Sequence, residues 1–560
     1  MLLADAAWLL PPLVAGLVLR CWNLRDQVLG GDELHGVRAA VENRPADILR
    51  HFSTADHSLP LSATLSALLR SGVELDESSF RAPSLLAGAL LVLVLPLLAA
   101  RALGRPTAVV WSWLLALSPA LVLYSRIARS YLPMVLAVCL ALAAFAAWWE
   151  RRTPARAAAF VPAAALAVWL HLGAAPIVAS PFLFALLDLL VTRQRGARRA
   201  LRDLALLAAA LAAAMATFLV PALPSVIALV SEKRQGVDVS LRAMAEVVRL
   251  HAGTANGALA GAVALLAAGG LVVLARVRPR LAALLATAAA AQVAGILWLA
   301  PEGVGFPIVL GRYLLPALPI ALLGVACALA PPRRPSGDEG APAGEPARRG
   351  VIAARLGVAA LLLLALWWTG PLRAPAFLRG SFAHHNAFVA FAGEPLAPAL
   401  GDAGGPEAPL ALYAALPPGP VVELPWPTAW NLGRSFPAYQ LRHGRRVLVS
   451  AAEGLPAHPR LRLRNAVPLR PDALLASPAA AAVVHRCLPC EEQRMRGGLA
   501  HRLRIPGAAR GRMVEQGERA AAELERAWGP PHFGSGAVVA WDLARLRRER
   551  AAARAAASPP

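Results

Sequence analysis

The sequence predicts a multi-span α-helical membrane protein, with about eleven transmembrane helices and a C-terminal soluble α/β domain. Three observations carry this reading. Hydrophobic residues make up 57% of the 560 residues and charged residues 16%, against roughly 45–50% and 25% in ordinary soluble domains. Apolar runs near the spanning length of about 20 residues recur as far as residue 370. Arginine clusters sit between those runs and give them direction. Composition also closes off other classes. The apolar content excludes disorder, and Cys 5 in 560 residues is too sparse for a disulfide scaffold. The net charge of +22 is nearly all arginine. No compact basic domain stands apart from the apolar part, so nucleic acid is not expected as a partner.

The spans read as 2–20, 82–100, 107–124, 131–149, 157–172, 174–191, 203–222, 255–275, 281–300, 311–330 and 351–370. Between the fifth and sixth, the only polar break is His171 and Gly173. Arg101 and Arg105 follow the second span. Arg151, Arg152 and Arg156 follow the fourth. Arg193, Arg195, Arg198, Arg199 and Arg202 follow the sixth. Arg276, Arg278 and Arg280 follow the eighth, and Arg333, Arg334, Arg348 and Arg349 the tenth. Every even-numbered exit is therefore basic, which assigns those loops and the N-terminus to the cytoplasm. Segments 21–81, 223–254 and 371–560 then face outward. The first span reads as an uncleaved helix, since no Lys or Arg precedes it and no small-x-small site ends it. Arg20 before Cys21 spoils a lipoprotein cleavage site.

The domains expected are 1–370, membrane-embedded, and 371–560, an extracytoplasmic α/β domain. The first holds an outer loop at 21–81 and a Pro/Gly-rich cytoplasmic linker at 331–350. In the outer stretch 231–251, Leu241, Met244, Val248 and His251 recur at helical spacing. They predict an amphipathic helix, either at the outer interface or packed on the bundle. Beyond 370, short β-rich runs appear at Val421–Leu424, Arg446–Val449, Ala482–His485 and Val538–Trp541, and 514–527 reads as a helix.

Chemistry-bearing residues gather in the outward segments. Asp32 and Glu33 follow the first span, so they lie near the membrane–water boundary. A carboxylate pair there serves as general base or metal ligand; the bland alternative is a helix cap by Asp32. His57, just before an apolar helix at 61–69, suits a metal or a phosphate, or simply starts the helix. Arg126, Arg129 and Tyr131 stand at the outward junction of the third and fourth spans, against the positive-inside tendency. An anionic headgroup or phosphate gives such arginines a reason; snorkelling to lipid is the alternative. Arg312 and Tyr313 mark another outward junction. Cys487 and Cys490 form a CxxC pair that reads as a local disulfide, a metal half-site or two free thiols.

The ordered set resembles the GT-C glycosyltransferases, in the polyprenyl- or dolichyl-phosphate-sugar transferase branch that includes protein mannosyltransferases and aminoarabinose transferases. The pieces that carry the resemblance are Asp32-Glu33, the stretch Asp56-His57-Ser58-Leu59-Pro60-Leu61, Arg81-Ala82-Pro83-Ser84, the junction from Tyr124 to Tyr131, and Arg312-Tyr313 with its prolines. They run in order through most of residues 1–330. The resemblance implies a polyprenyl-phosphate-sugar donor, used at the outer face of a bacterial cytoplasmic membrane, and a lipid, glycan or protein acceptor. It implies Asp32 as base or metal ligand with Glu33 in support. It also implies that Arg129, with Arg126 and Arg312, holds the departing phosphate, and that transfer inverts the sugar. Ser58-Leu59-Pro60 departs from the consecutive prolines often found after the loop histidine. A divalent metal held by Asp32 and His57 is an option the loop leaves open. Two other classes compete: a polytopic transporter or flippase, which would place polar groups mid-membrane in internal repeats, and a non-catalytic scaffold presenting the tail.

Overall fold

The computed structural model describes residues 4–22, 24, 33, 36, 39–40, 43–51, 59–73, 75, 77–192, 196–233, 239–301, 304–305, 307–333, 345–370, 412–424, 471–477, 479–486, 507–535 and 537–557. Two compact units emerge: Met1–Trp22 with Leu49–Leu61 and Arg81–His384, and Asn23–Ile48 with Ser62–Phe80 and His385–Pro560.

The first unit is a helical bundle, and a helix underlies every apolar run. Among the described residues, seven helices are long and apolar enough to cross a membrane, from Ser78–Leu103 to Pro307–Leu329. The run at 107–124 is a pair, Arg105–Leu117 and Pro119–Ser125, bent by 56°. Shorter apolar helices cover Ala7–Cys21, Pro154–Leu170 and Ala353–Thr369. The chain is thus a multi-pass membrane protein by the length and composition of its helices. Proline opens many of them, at Pro106, Pro119, Pro154 and Pro279, where its missing N–H leaves no vacancy in the ladder. Ser118, Ser240 and Asn256 cap the helices that follow them, accepting from the N–H of Leu121, Ala243 and Leu259. The stretch 223–254 holds two helices, Leu223–Lys233 and Leu241–Ala252. The second is the expected amphipathic one and ends at Gly253, where φ is 79°.

The basic loops converge on one end of the bundle. Arg278 Nη2 donates to Ala102 O at 3.3 Å, and the Arg333 N–H to Leu103 O at 2.9 Å. Thr107 Oγ1 reaches Ala330 O at 2.7 Å. Asp188 accepts from Trp149 Nε1 at 2.9 Å and pairs with Arg280 at 3.4 Å. Exits of the second, fourth, sixth, eighth and tenth runs are therefore neighbours, as alternating topology requires. Between the ends, helix Gly257–Val277 meets Leu318–Leu329 through Gly270 and Gly324. A Cβ on Gly270 would fall onto the Gly324 carbonyl, so only glycine lets these backbones approach this closely.

In the second unit, four strands form one sheet: β1 Val421–Leu424, β2 Ala481–His485, β3 Phe533–Ser535 and β4 Val538–Asp542, in the order β1-β2-β4-β3. β1 and β2 run parallel; the β2–β4 and β4–β3 pairs are antiparallel. Both faces are covered. Val422, Leu424, Val484 and Trp541 pack with Leu524 and Trp528 of helix Gly507–Trp528. Val421, Val483 and Ala540 pack with Leu412 and Tyr413. Also in this unit, Ser66 Oγ donates to Asn43 O at 2.7 Å. The strand expected at Arg446–Val449 lies outside the described residues.

Candidate functional site

At the opposite end of the bundle from the basic loops, three junctions meet around Tyr131. The first follows helix Pro119–Ser125. The chain leaves the helix over 126–130 and re-enters it at Tyr131. This brief departure sends the two junction arginines to different places. Arg126 is fully buried, and its Nη1 donates to Leu19 O, Arg20 O and Trp22 O at 3.3, 3.0 and 2.6 Å. Those are end carbonyls of the first helix, which lack intrahelical donors. Arg20 returns the arrangement. Its Nε donates to Ser125 Oγ at 3.0 Å, Nη1 to Ala116 O at 3.1 Å and Nη2 to Leu115 O at 3.2 Å, capping the helix before the bend. Arg126, expected with the phosphate-holding group, is thus part of a reciprocal clamp between two helix ends. Arg126→Ala is expected to cost on the order of 3 kcal/mol and to lower the thermal midpoint without changing ligand affinity of the folded fraction. Weaker ligand binding at an unchanged midpoint would return Arg126 to the binding site.

Arg129 behaves differently. Its carbonyl accepts from Ser84 Oγ at 2.6 Å, and its guanidinium carbon lies 5.9 Å from the centre of the Tyr131 ring. Arg312, near the end of helix Pro307–Leu314, also lies 5.9 Å from that centre, and 5.7 Å from the Tyr313 ring. The third junction supplies His171. Its ring centre is 5.6 Å from both Tyr131 and Tyr313. The residue is extended, with φ −162°, and its Nδ1 accepts from the Gly173 N–H at 3.0 Å. A Cβ on Gly173 would stand 2.9 Å from His171 Nδ1 and 3.3 Å from Tyr313 Cδ1, so the turn needs glycine.

Burial, then the cations Arg129 and Arg312, push the His171 imidazole down to about 3. It is neutral at physiological pH. With Nδ1 accepting, the hydrogen-bond pattern assigns the proton to Nε2. The cluster therefore presents two guanidinium groups and a neutral N–H donor around an aromatic platform. Groups of this kind suit a negatively charged ligand.

His251, on helix Leu241–Ala252, lies 3.0 Å from Gly311 O and is pushed down to about 4, chiefly by burial. Both histidines take a proton in the unfolded chain below pH 6.5 but resist it when folded. Stability is then fully present above that pH and falls as pH drops from about 6.5 towards 3. The thermal midpoint in detergent is expected to follow this course. His171→Gln with His251→Gln should flatten it; an equally steep fall in that double variant would refute the assignment.

The cluster joins Arg129, Tyr131, Arg312 and Tyr313 of the expected residues. Glu33 is buried and belongs to the second unit. Asp32, His57, Cys487 and Cys490 lie outside the described residues. Among the described residues no group of three or more His, Cys, Asp or Glu could hold a metal ion. Sequence reasoning missed two members. His171 is legible only as a polar gap between spans. Gln292, whose Nε2 donates to Gly173 O at 2.9 Å and Tyr313 O at 2.7 Å, is a lone amide in an alanine-rich run, and that isolation is its signal.

No family model matches the chain, and no curated protein matches it. Among solved structures it is similar to ArnT from Cupriavidus metallidurans in the apo state, at 17% identity and a TM-score of 0.45, covering 86% of this chain and 93% of that one. ArnT from the same organism bound to undecaprenyl phosphate is similar at 15% identity and a TM-score of 0.45, covering 79% and 86%. The Archaeoglobus fulgidus oligosaccharyltransferase in complex with Zn and sulfate is similar at 14% identity and a TM-score of 0.44, covering 88% and 70%.

Proposed function

We propose that this chain is an integral membrane glycosyltransferase. It takes a sugar from a polyprenyl-phosphate donor and passes it to a lipid, glycan or protein acceptor on the outer face of a bacterial cytoplasmic membrane. The observation that carries the reading is the convergence of Arg129 and Arg312 on Tyr131 beside a neutral His171. In this reading the chain crosses the membrane about eleven times, with the basic loops inside and the sheet-containing domain, residues 371–560, outside.

The chemistry follows from the residues. An acceptor hydroxyl attacks the anomeric carbon, and the bond from that carbon to the phosphate oxygen breaks. The polyprenyl phosphate leaves with the electron pair, and the hydroxyl proton passes to the Asp32 carboxylate, which Glu33 supports. Negative charge grows on the phosphate as it departs. Fixed guanidinium groups in a water-poor site stabilise that charge without reorganising. A single displacement with one base inverts the anomeric centre, by analogy with the two-carboxylate logic of inverting hydrolases.

The test uses the purified full chain in detergent with a panel of polyprenyl-phosphate sugars and mixed lipid and peptide acceptors. Release of polyprenyl phosphate, matched by sugar on an acceptor, is the expected result. No release from any donor by folded protein, together with substrate uptake in proteoliposomes, would replace the transferase with the transporter reading.

A further inference from the structure

We propose that Gln292 is a positioning residue of the anion site: its amide ties the His171–Gly173 turn to the Arg312–Tyr313 turn and sets the spacing at which both meet one phosphate. The proposal rests on the transferase reading above.

Gln292 lies in helix Pro279–Leu299, amid alanines, and is fully buried. An amide in such a place costs desolvation that only good hydrogen bonds offset. Both Nε2 hydrogens are used, one on Gly173 O and one on Tyr313 O. Its Oε1 is buried with no hydrogen-bond partner among the described residues. Half of the amide is therefore left at a loss, so stability alone is a poor account of this residue.

The two carbonyls it holds belong to the two turns that need holding. Beyond Arg312 the chain meets Pro316 and Pro319, which carry no N–H, so backbone donors are short in this turn. Gln292 supplies a donor on one side of Arg312, at Tyr313 O, and His251 meets the other side, at Gly311 O. On the other turn, Gly173 gives its N–H to His171 and its carbonyl to Gln292. One amide thus bridges the residue that orients the imidazole and the residue next to the guanidinium. Gly295, one turn further along the same helix, packs so tightly on Pro176 that a Cβ there would clash. That contact keeps the Gln292 helix close to the His171 junction.

The experiment measures binding of undecaprenyl phosphate and of undecaprenol, its neutral alcohol, to the full chain in detergent. The proteins are wild type, Gln292→Leu, Gln292→Met and Gln292→Asn. Wild type should prefer the phosphate. The Leu and Met variants should bind the phosphate about 10- to 100-fold more weakly, the scale expected when groups are misplaced by an ångström or so, with undecaprenol binding unchanged. Gln292→Asn keeps an amide but is one carbon short, and covers the case in which the apolar variants do not fold; it too should lose preference. Unchanged preference in the folded variants overturns the proposal. So does an equal loss for both ligands with a lowered thermal midpoint, which would make Gln292 a structural brace only. A wild type that fails to prefer the phosphate would instead sink the transferase reading.

Discussion

Replacing Arg129 and Arg312 together by alanine is expected to lower kcat/KM for a polyprenyl-phosphate-sugar donor by about 1,000-fold or more, with each single change costing about 100-fold. Both guanidinium carbons stand 5.9 Å from the Tyr131 ring centre, and both cations act on the His171 imidazole. In the proposed transfer, a phosphate beside them gains charge as its bond to the sugar breaks. Such stabilisation is larger in the transition state than in the bound donor, so kcat should fall with kcat/KM. The two losses should be less than additive, because the two guanidinium groups would grip one phosphate as a unit and losing either already loosens the hold of the other. Lysine restores a charge but not the planar fork that grips two phosphate oxygens at once, and should recover only part of the rate. Initial rates of polyprenyl phosphate release, measured against donor concentration, check this. Single variants with unchanged kcat would remove the two arginines from the leaving-group site. Strictly additive losses would mean that they act on separate ligands.

The parts legible in the sequence are those that the membrane dictates locally. A span must be apolar along its own length, so each run from 2–20 to 351–370 has a helix beneath it. Arginine placement is a linear signal too, and the loops it marked meet at one end of the bundle. What the sequence concealed depends on where a side chain turns after leaving a helix. Arg126 and Arg129 are three residues apart and look alike as text. The non-helical stretch after Ser125 sends one to the end of the first helix and the other to Tyr131. The run at 107–124 looks continuous, but Ser118 and Pro119 start a new helix within it. His171 is a gap in hydropathy and nothing more until burial, then Arg129 and Arg312 from distant segments, hold it neutral. In the second unit, β1, β2 and β4 show as apolar runs, whereas β3 is three residues around Gly534, defined by its pairing with β4.

Asp32→Asn is expected to remove nearly all transfer, by about 100- to 10,000-fold in kcat, the range spanned by loss of a positioned general base. Asparagine matches aspartate in size and still accepts a hydrogen bond, but it does not take up the proton that the acceptor hydroxyl must lose. Affinity for undecaprenyl phosphate should stay as in wild type, because in the proposed reading the arginine cluster, not Asp32, holds that ligand. This is the reverse of the pattern expected for Arg129 and Arg312, where phosphate affinity and rate fall together. Glu33→Gln should reduce kcat by a smaller factor than Asp32→Asn if its part is to support the neighbouring base. The two roles open to Asp32 separate in the same assay. A base leaves wild-type activity unaffected by EDTA and gives a rate that rises with pH as the carboxylate ionises. A metal ligand gives activity that EDTA abolishes and that added Mn2+ restores, with the restoring concentration raised in Asp32→Asn. Unchanged kcat in a folded Asp32→Asn protein would leave the transferase class standing and move the base to another carboxylate, with Glu33 the first to be replaced.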